Sequence, residues 1–192
     1  EPWCIHDDGF FNLKNYYVER KTFLTEYHWG KEAKEKVSII IPTYNRAHCI
    51  ERSIRSVLNQ SYEAFELLIV DDGSTDHTKE VVDKIEDVRI RYIRCEENGG
   101  AAKARNRGIA EAKYDYIAFQ DSDDEWHSDK LEKQMWAMQQ ASEDTGLVYC
   151  EYHYNGLGGL EGISPSLEIP LEQKRGYMFP QLLAGNMIGT LT

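Results

Sequence analysis

The segment VSIIIPTYNR, residues 37–46, begins the part of the chain that decides the fold. Val37–Ile41 is an almost unbroken β-branched run, which is typical of a buried strand. Apolar residues then recur at helical spacing between Ile50 and Leu58. This segment therefore predicts one buried strand followed by one helix.

The same alternation of strand and helix patterns continues along the chain. Further strands are predicted at Phe65–Val70, Ile90–Ile93, Tyr116–Phe119 and Leu147–Tyr149. Helices are predicted after the turn at Asp71–Ser74, after Asn98–Gly100 and after Ser128. Strands that alternate with helices indicate an α/β fold, here a Rossmann-like, mainly parallel sheet flanked by helices.

The chain divides into three zones by composition. Residues 37–154 hold the alternating strands and helices, and residues 1–36 are aromatic and charged. We interpret residues 1–36 as a helical or irregular extension that packs on the main domain or on a neighbouring one. Residues 155–192 begin with a glycine-rich stretch, which predicts a loop, and Gly176–Ala184 predicts a short helix. Because the chain does not begin with Met, we expect it to be a piece of something longer.

Composition describes a globular protein and excludes several classes. The 192 residues carry a formal charge of −11 with a pI near 5.0, and 41% of them are hydrophobic. An acidic chain lacks the basic face of a duplex nucleic-acid binder, so no nucleic-acid partner is expected. The four cysteines lack zinc-ligand spacing and are expected to be reduced thiols. No secretion signal or membrane-spanning apolar run is visible, which favours a cytoplasmic location.

Polar and aromatic residues follow the ends of four predicted strands. They are Pro42–Arg46, Asp71–Asp72, Glu96–Gly100 and Asp121–Asp124. Ligands of open α/β sheets bind beyond the carboxyl ends of the strands, where these four groups should converge. The sequence therefore predicts one binding site at this edge of the sheet.

The acids of the last group favour a divalent cation. Asp121, Asp123 and Asp124 lie within four residues, and like charges this close repel unless a cation or proton intervenes. Mg²⁺ prefers one or two carboxylates together with waters and substrate phosphates. We therefore favour Asp123 as a metal ligand. For Asp124, a solvated turn residue near a helix start is at least as good an interpretation.

The other groups permit two interpretations each. Asn98–Gly100 precedes a helix that carries Arg105. The glycine turn and Arg105 would together bind a phosphate, or the segment is an ordinary glycine turn before a basic helix. Tyr44 would stack on a base or pack at the rim. Asp72 would accept a hydrogen bond from a base N–H or form an Asx-type turn.

Common motifs of other nucleotide-binding or hydrolytic folds are missing. The turn after the first strand has no G-x-G-x-x-G, and the chain contains neither a P-loop sequence nor a G-x-S-x-G elbow. A dehydrogenase, a P-loop NTPase and an α/β-hydrolase are therefore disfavoured. A nucleotidyltransferase is disfavoured too, because no Gly-rich loop with Arg and Lys follows the first strand.

Four strings in order carry a family resemblance: VSIIIPTYNR, FELLIVDDGSTDHT, ENGGAAKARNRGIAEA and YIAFQDSDDEWHSDKLEKQ. Together they resemble the family 2 glycosyltransferases with the GT-A fold, over residues 37–154 and more weakly over 176–190. The family transfers a sugar from a nucleotide diphosphate sugar to a hydroxyl acceptor, with inversion at the anomeric carbon.

The resemblance implies a role for each matched residue. Pro42 and Tyr44 would flank the base, and Asp72 would read it, which favours uracil. Asn98 and Arg105 would lie near the ribose and diphosphate. Asp121, with Ser122 beside it, would contact the ribose or donor sugar. In this D-x-D motif, Asp123 would bind Mn²⁺ or Mg²⁺ across the two phosphates.

The resemblance also implies partners and a setting. The acceptor would be a saccharide or a lipid-linked glycan in polysaccharide biosynthesis, with peripheral association at the inner face of the membrane left open. The family's general base is expected beyond Thr192, so the catalytic residue is not assigned. A second hypothesis is a non-catalytic nucleotide-sugar-binding module of a larger polysaccharide-assembly protein.

Overall fold

The computed structural model describes residues 3–6, 9–12, 35–141, 145–150, 152–155 and 161–164. Four helices are present in these ranges: α1 at Ile50–Leu58, α2 at Thr78–Asp83, α3 at Ala101–Glu111 and α4 at Lys130–Gln140. The eight described strands are β1 at Trp3–His6, β2 at Gly9–Asn12, β3 at Val37–Thr43, β4 at Phe65–Asp71, β5 at Ile90–Arg94, β6 at Tyr116–Phe119, β7 at Tyr152–Asn155 and β8 at Glu161–Ser164.

Residues 33–131 form one compact unit, which contains a four-stranded parallel sheet. The strand order is β5-β4-β3-β6, and the pairing runs from Val37 opposite Phe65 to Thr43 opposite Asp71. Because the strands are parallel, their carboxyl ends meet at one edge. The α/β prediction with a mainly parallel sheet is thus confirmed.

The centre of the sheet is apolar on both faces. Ile39, Ile40 and Ile41 of β3 are fully buried, as are Leu67–Val70 of β4. Helix α3 lies close to β3 at Gly108, where an added Cβ would come within 2.5 Å of Ile40 Cγ2. A side chain at that position would push the helix away from the sheet, so the glycine allows the contact.

Two regions differ from the sequence-based predictions. Residues 145–150 form no strand, although a strand is predicted at Leu147–Tyr149. A run of three apolar residues is compatible with a buried strand or with another buried segment. Only hydrogen-bonded pairing with a neighbouring strand distinguishes the two. The described strands here are β7 and β8, which pair antiparallel, and β8 lies in the stretch predicted as a loop.

The amino-terminal zone also differs from the helical interpretation where it is described. Strands β1 and β2 pair antiparallel from Trp3 opposite Asn12 to His6 opposite Gly9. Aromatic and β-branched residues such as Trp3, Ile5 and Phe10 favour strands over helices, which accounts for the hairpin. The predicted helix at Gly176–Ala184 lies outside the described residues. No helix within the described ranges has both the length and the apolar character needed to cross a bilayer.

Candidate active site

The segments that follow the four parallel strands line an open cleft of about 590 Å³. Its volume lies within the range of about 300–1,000 Å³ that is common for ligand sites. All eight residues predicted for the site lie along it, namely Pro42, Tyr44, Asp72, Asn98, Arg105, Asp121, Ser122 and Asp123. The structure brings them together, and their individual roles stay predictions.

Asp72 organises the glycine loop that precedes α3. Its carboxylate is buried and accepts the Gly99 amide at 3.0 Å on each oxygen and the Gly100 amide at 2.6 Å on Oδ2. Gly73 has a φ of +82°, and an added Cβ there would lie 3.3 Å from the Asn98 nitrogen. This close approach brings the loop onto Asp72. A carboxylate has about four lone-pair sites, so one oxygen of Asp72 keeps capacity for a ligand donor.

Replacing Asp72 by Ala should release this loop. We expect faster hydrogen exchange at the Gly99 and Gly100 amides, because both lose a carboxylate acceptor. Asp83→Ala, at an exposed position on α2, is the control and should leave the exchange unchanged. Unchanged exchange at the two glycines would contradict this role for Asp72.

Arg105 and Asp121 form an ion pair inside the cleft. Arg105 Nη2 donates to Asp121 Oδ1 at 2.5 Å, and the two side chains are only 24% and 31% exposed. The Arg105 Nε–H is buried and has no hydrogen-bond partner among the described residues. A guanidinium presents several donors in a fixed fork, so Arg105 retains donor capacity for a phosphate while Asp121 holds it.

Two arginines hold Asp123 at the rim of the cleft. Arg46 Nη2 lies 3.4 Å from Asp123 Oδ2, and Arg52 Nη2 donates to the Asp123 carbonyl at 2.7 Å. The side chains of Arg46 and Asp123 are 41% and 50% exposed, so the pair is well hydrated and easily exchanged. Asp123 therefore has a fixed main chain and a carboxylate that is open to a ligand.

The charges of this region fit a divalent cation. Burial raises the pKa of Asp124 to about 6, and the negative charges of Asp123 and Asp121 add to this effect. The described residues contain no cluster of three or more His, Cys, Asp or Glu side chains that would enclose a metal ion. One or two carboxylates, with the remaining ligands from phosphate and water, suit Mg²⁺ or Mn²⁺. The half-exposed carboxylate of Asp123 can supply one of them.

Two polar residues of the cleft were not singled out individually from the sequence. Thr43 is buried, and its Oγ1 has no hydrogen-bond partner in the described part of the chain. Arg46 contributes its guanidinium to the same cleft. Both belong to the PTYNR string, which begins at the last two residues of β3, so their position next to Pro42 and Tyr44 was the available signal.

The cleft lies at the carboxyl edge of a parallel sheet, which is where open α/β sheets bind their ligands, and its acids and arginines lie beside a glycine loop. Residues 38–189 match the family described as Glycosyl transferase family 2, and the chain belongs to that family. A solved mannosyltransferase from Pyrobaculum calidifontis, in complex with GDP-Man and Mn²⁺, superposes with a TM-score of 0.52 at 26% identity. That match covers 65% of this chain and 39% of the solved one. The fold is of the GT-A type.

Curated relatives agree with this membership. TuaG of Bacillus subtilis (strain 168), whose name gives it a provisional role as a teichuronic acid biosynthesis glycosyltransferase, is 38% identical over 161 residues, or 83% of this chain. WfgD of Escherichia coli is named a UDP-Glc:alpha-D-GlcNAc-diphosphoundecaprenol beta-1,3-glucosyltransferase and is 48% identical over 102 residues. That match covers 53% of this chain and 40% of WfgD. The match spans 61% of the length of TuaG, so the chain covers less than two thirds of that relative.

Proposed function

We propose that this chain is the donor-binding part of a metal-dependent, inverting glycosyltransferase. It would bind a nucleotide diphosphate sugar, with UDP as the nucleotide, and transfer the sugar to a hydroxyl of a saccharide or lipid-linked acceptor. The observation that carries the proposal is the convergence of all four strand-end motifs on one cleft. Family membership supports the reaction class.

The charge of the cleft supports a diphosphate ligand bound with a cation. Its lining contains three carboxylates, Asp72, Asp121 and Asp123, against the guanidinium groups of Arg46 and Arg105. The formal charge of the lining is therefore −1, which alone would repel a diphosphate. A divalent cation reverses that sign, and when bound it neutralises the charge that develops on the departing diphosphate. Asp123 would hold the cation, and Arg105 would donate to a phosphate oxygen.

The preference for uracil rests on Asp72. Its remaining acceptor capacity faces a cleft that Tyr44 and Thr43 also line, and the 44% exposed Tyr44 ring is free to stack on a base. WfgD is named for a UDP-linked donor, whereas the solved mannosyltransferase holds GDP-Man. The base therefore has to be measured with both nucleotides.

Calorimetric titration of the chain tests the proposal directly. UDP and GDP are added separately, each with and without Mn²⁺. We expect UDP to bind more tightly than GDP and the metal to increase the affinity. Equal, metal-independent binding of both nucleotides, or no binding of either, would contradict the proposal.

A lipid-linked acceptor, as in the name of WfgD, would bring the reaction to a membrane surface. Sugar transfer by the full-length protein to a lipid-diphosphate glycan tests this part. Donor binding without any transfer or donor hydrolysis would instead favour the non-catalytic, nucleotide-sugar-binding alternative.

A further inference from the structure

Side chains from the segment Ser74–Thr78, which joins β4 to α2 and includes the first residue of α2, hold the main chain of the loop that follows β3. We call this segment the second loop. The amides of three consecutive residues, Asn45, Arg46 and Ala47, each donate to a different side chain of the second loop. In that order, the acceptors are Ser74 Oγ at 2.9 Å, Thr78 Oγ1 at 2.9 Å and Asp76 Oδ2 at 3.0 Å. The path of the first loop is therefore set by hydroxyl and carboxylate groups of the second.

Asn45 completes the connection in the opposite direction. Its Oδ1 accepts the Thr75 amide at 2.8 Å and the Asp76 amide at 3.3 Å. Asn45 also has a φ of 53°, in the left-handed region that non-glycine residues seldom occupy. Such a conformation persists only where the surroundings determine it, and the contacts with the second loop supply that determination.

The acceptor groups are themselves fixed. Thr78 is fully buried and Ser74 is 3% exposed, so neither hydroxyl can turn to water instead. The Thr78 hydroxyl donates to Asp76 Oδ1 at 2.5 Å while it accepts the Arg46 amide. Ser74 in turn donates its amide to Asp71 Oδ1 at 2.7 Å. We call the four residues Asn45, Ser74, Asp76 and Thr78 the loop clasp.

The loop clasp holds the main chain next to two side chains of the candidate site. Tyr44 and Arg46 line the cleft, whereas the four clasp residues, all of them described, do not. Tyr44 is 44% exposed and directly precedes Asn45, so the main-chain path that the clasp holds affects where its ring lies. Arg46 has its amide held by Thr78 and its guanidinium beside Asp123. A change in the clasp would therefore move groups that face the ligand.

We propose that the loop clasp consists of positioning residues that set Tyr44 and Arg46 for nucleotide binding. The inference rests on the proposed function and adds residues that act on the cleft without touching the ligand. The DGSTDHT string thus has two parts: Asp72 faces the cleft, and Ser74, Asp76 and Thr78 fix the neighbouring loop. An ordinary loop contact would contribute to stability alone, and the following experiment separates the two roles.

The test compares Thr78→Val, which keeps the shape but loses the hydroxyl, with Thr78→Ser, which keeps the hydroxyl. Hydrogen exchange of the free chain should become faster at the Asn45, Arg46 and Ala47 amides in the Val variant and stay slow in the Ser variant. The UDP dissociation constant with Mn²⁺ should rise about fivefold to tenfold for Val, and less than about twofold for Ser. His77→Ala, which leaves every clasp bond in place, is the control.

A second variant and a double-mutant cycle keep the test decisive if Thr78→Val unfolds. Asn45→Ala loses the acceptor, and Asn45→Asp keeps it and tolerates the left-handed backbone. When Tyr44→Ala is combined with Asn45→Ala, the loss in UDP affinity should be smaller than the product of the two separate losses. The reason is that the clasp acts on UDP through the position of the Tyr44 ring.

Two results would contradict the positioning role proposed for the clasp. One is unchanged exchange at residues 45–47, and the other is clasp variants that bind UDP as tightly as the unaltered chain. If the unaltered chain binds neither UDP nor GDP with Mn²⁺, the proposed function fails, together with the clasp's part in binding. The exchange measurement would still report separately whether the clasp holds the loop.

Discussion

Replacement of Asp123 by Ala should abolish the increase in UDP affinity that Mn²⁺ produces. In the unaltered chain we expect that increase to be at least about tenfold, which corresponds to about 1.4 kcal/mol. The variant should bind UDP without metal as well as the unaltered chain does, or slightly better, because a carboxylate that repels phosphate is gone. Calorimetric titration with and without Mn²⁺ measures both quantities.

The surroundings of Asp123 explain why this effect should be confined to binding. Its side chain is 50% exposed and contacts one hydrated arginine, so its removal should cost little stability. Asp115→Ala is a matched control. Asp115 is an exposed acid that directly precedes β6, whereas Asp123 lies beyond the carboxyl end of that strand. An equal response to Mn²⁺ in the Asp123 variant and the unaltered chain would exclude this residue as the cation ligand.

Strand positions were predictable because the central strands are buried on both faces. The β-branched and aliphatic runs of β3 and β4 leave no alternative to a sheet interior, and the structure starts both strands at the predicted residues. Short segments were harder. Leu147–Tyr149 has the composition of a strand, but whether it pairs depends on residues far away in the sequence.

The convergence of the candidate site residues on one cleft was predictable for a similar reason, since parallel strands present their carboxyl ends together. The partners of each side chain were not predictable. Asp71 and Asp72 are adjacent acids, yet Asp71 is buried and accepts the Ser74 amide, whereas Asp72 holds Gly99 and Gly100 and lines the cleft. Asp71 is the last residue of β4 and Asp72 the first residue after it, so the point at which the strand ends decides which of the two lines the cleft.

The sheet has a second polar cluster at its other edge, at the amino ends of the strands. Glu66 of β4 is 5% exposed and accepts three hydrogen bonds. The donors are Ser38 Oγ at 2.8 Å, the Lys113 amide at 2.7 Å and Arg91 Nη1 at 3.0 Å. Ser38 also accepts the Tyr114 amide at 3.1 Å, so the cluster ties β3, β4 and β5 to the turn before β6. None of these residues lines the cleft, which indicates a structural role.

Glu66→Gln should therefore lower the free energy of unfolding by about 3 kcal/mol at pH 7 and leave UDP binding unchanged. Breaking a buried ion pair by removing one partner costs about 3–5 kcal/mol. We expect the lower end of that range because Arg91 is 31% exposed and water can hydrate it once Glu66 is replaced. Urea denaturation gives the loss, with the exposed Glu63→Gln as the control. Retained UDP affinity in the folded variant would show that the Glu66 cluster does not contribute to nucleotide binding in the cleft. Reduced affinity would contradict that independence.

The same variant should show a defined pH dependence. Burial acts to raise the pKa of Glu66, but hydrogen bonds from the Lys113 amide, Ser38 and Arg91 outweigh it, so the pKa lies below its usual value. A carboxyl with a lowered folded-state pKa contributes stability that is complete above its unfolded pKa, about 4.3, and is lost as the pH falls through the folded value. The difference in unfolding free energy between the unaltered chain and Glu66→Gln should therefore be constant from pH 7 to about pH 5 and shrink below about pH 4. A difference that persisted undiminished to pH 3 would mean that packing, and not the charge of Glu66, holds the strands to the turn before β6.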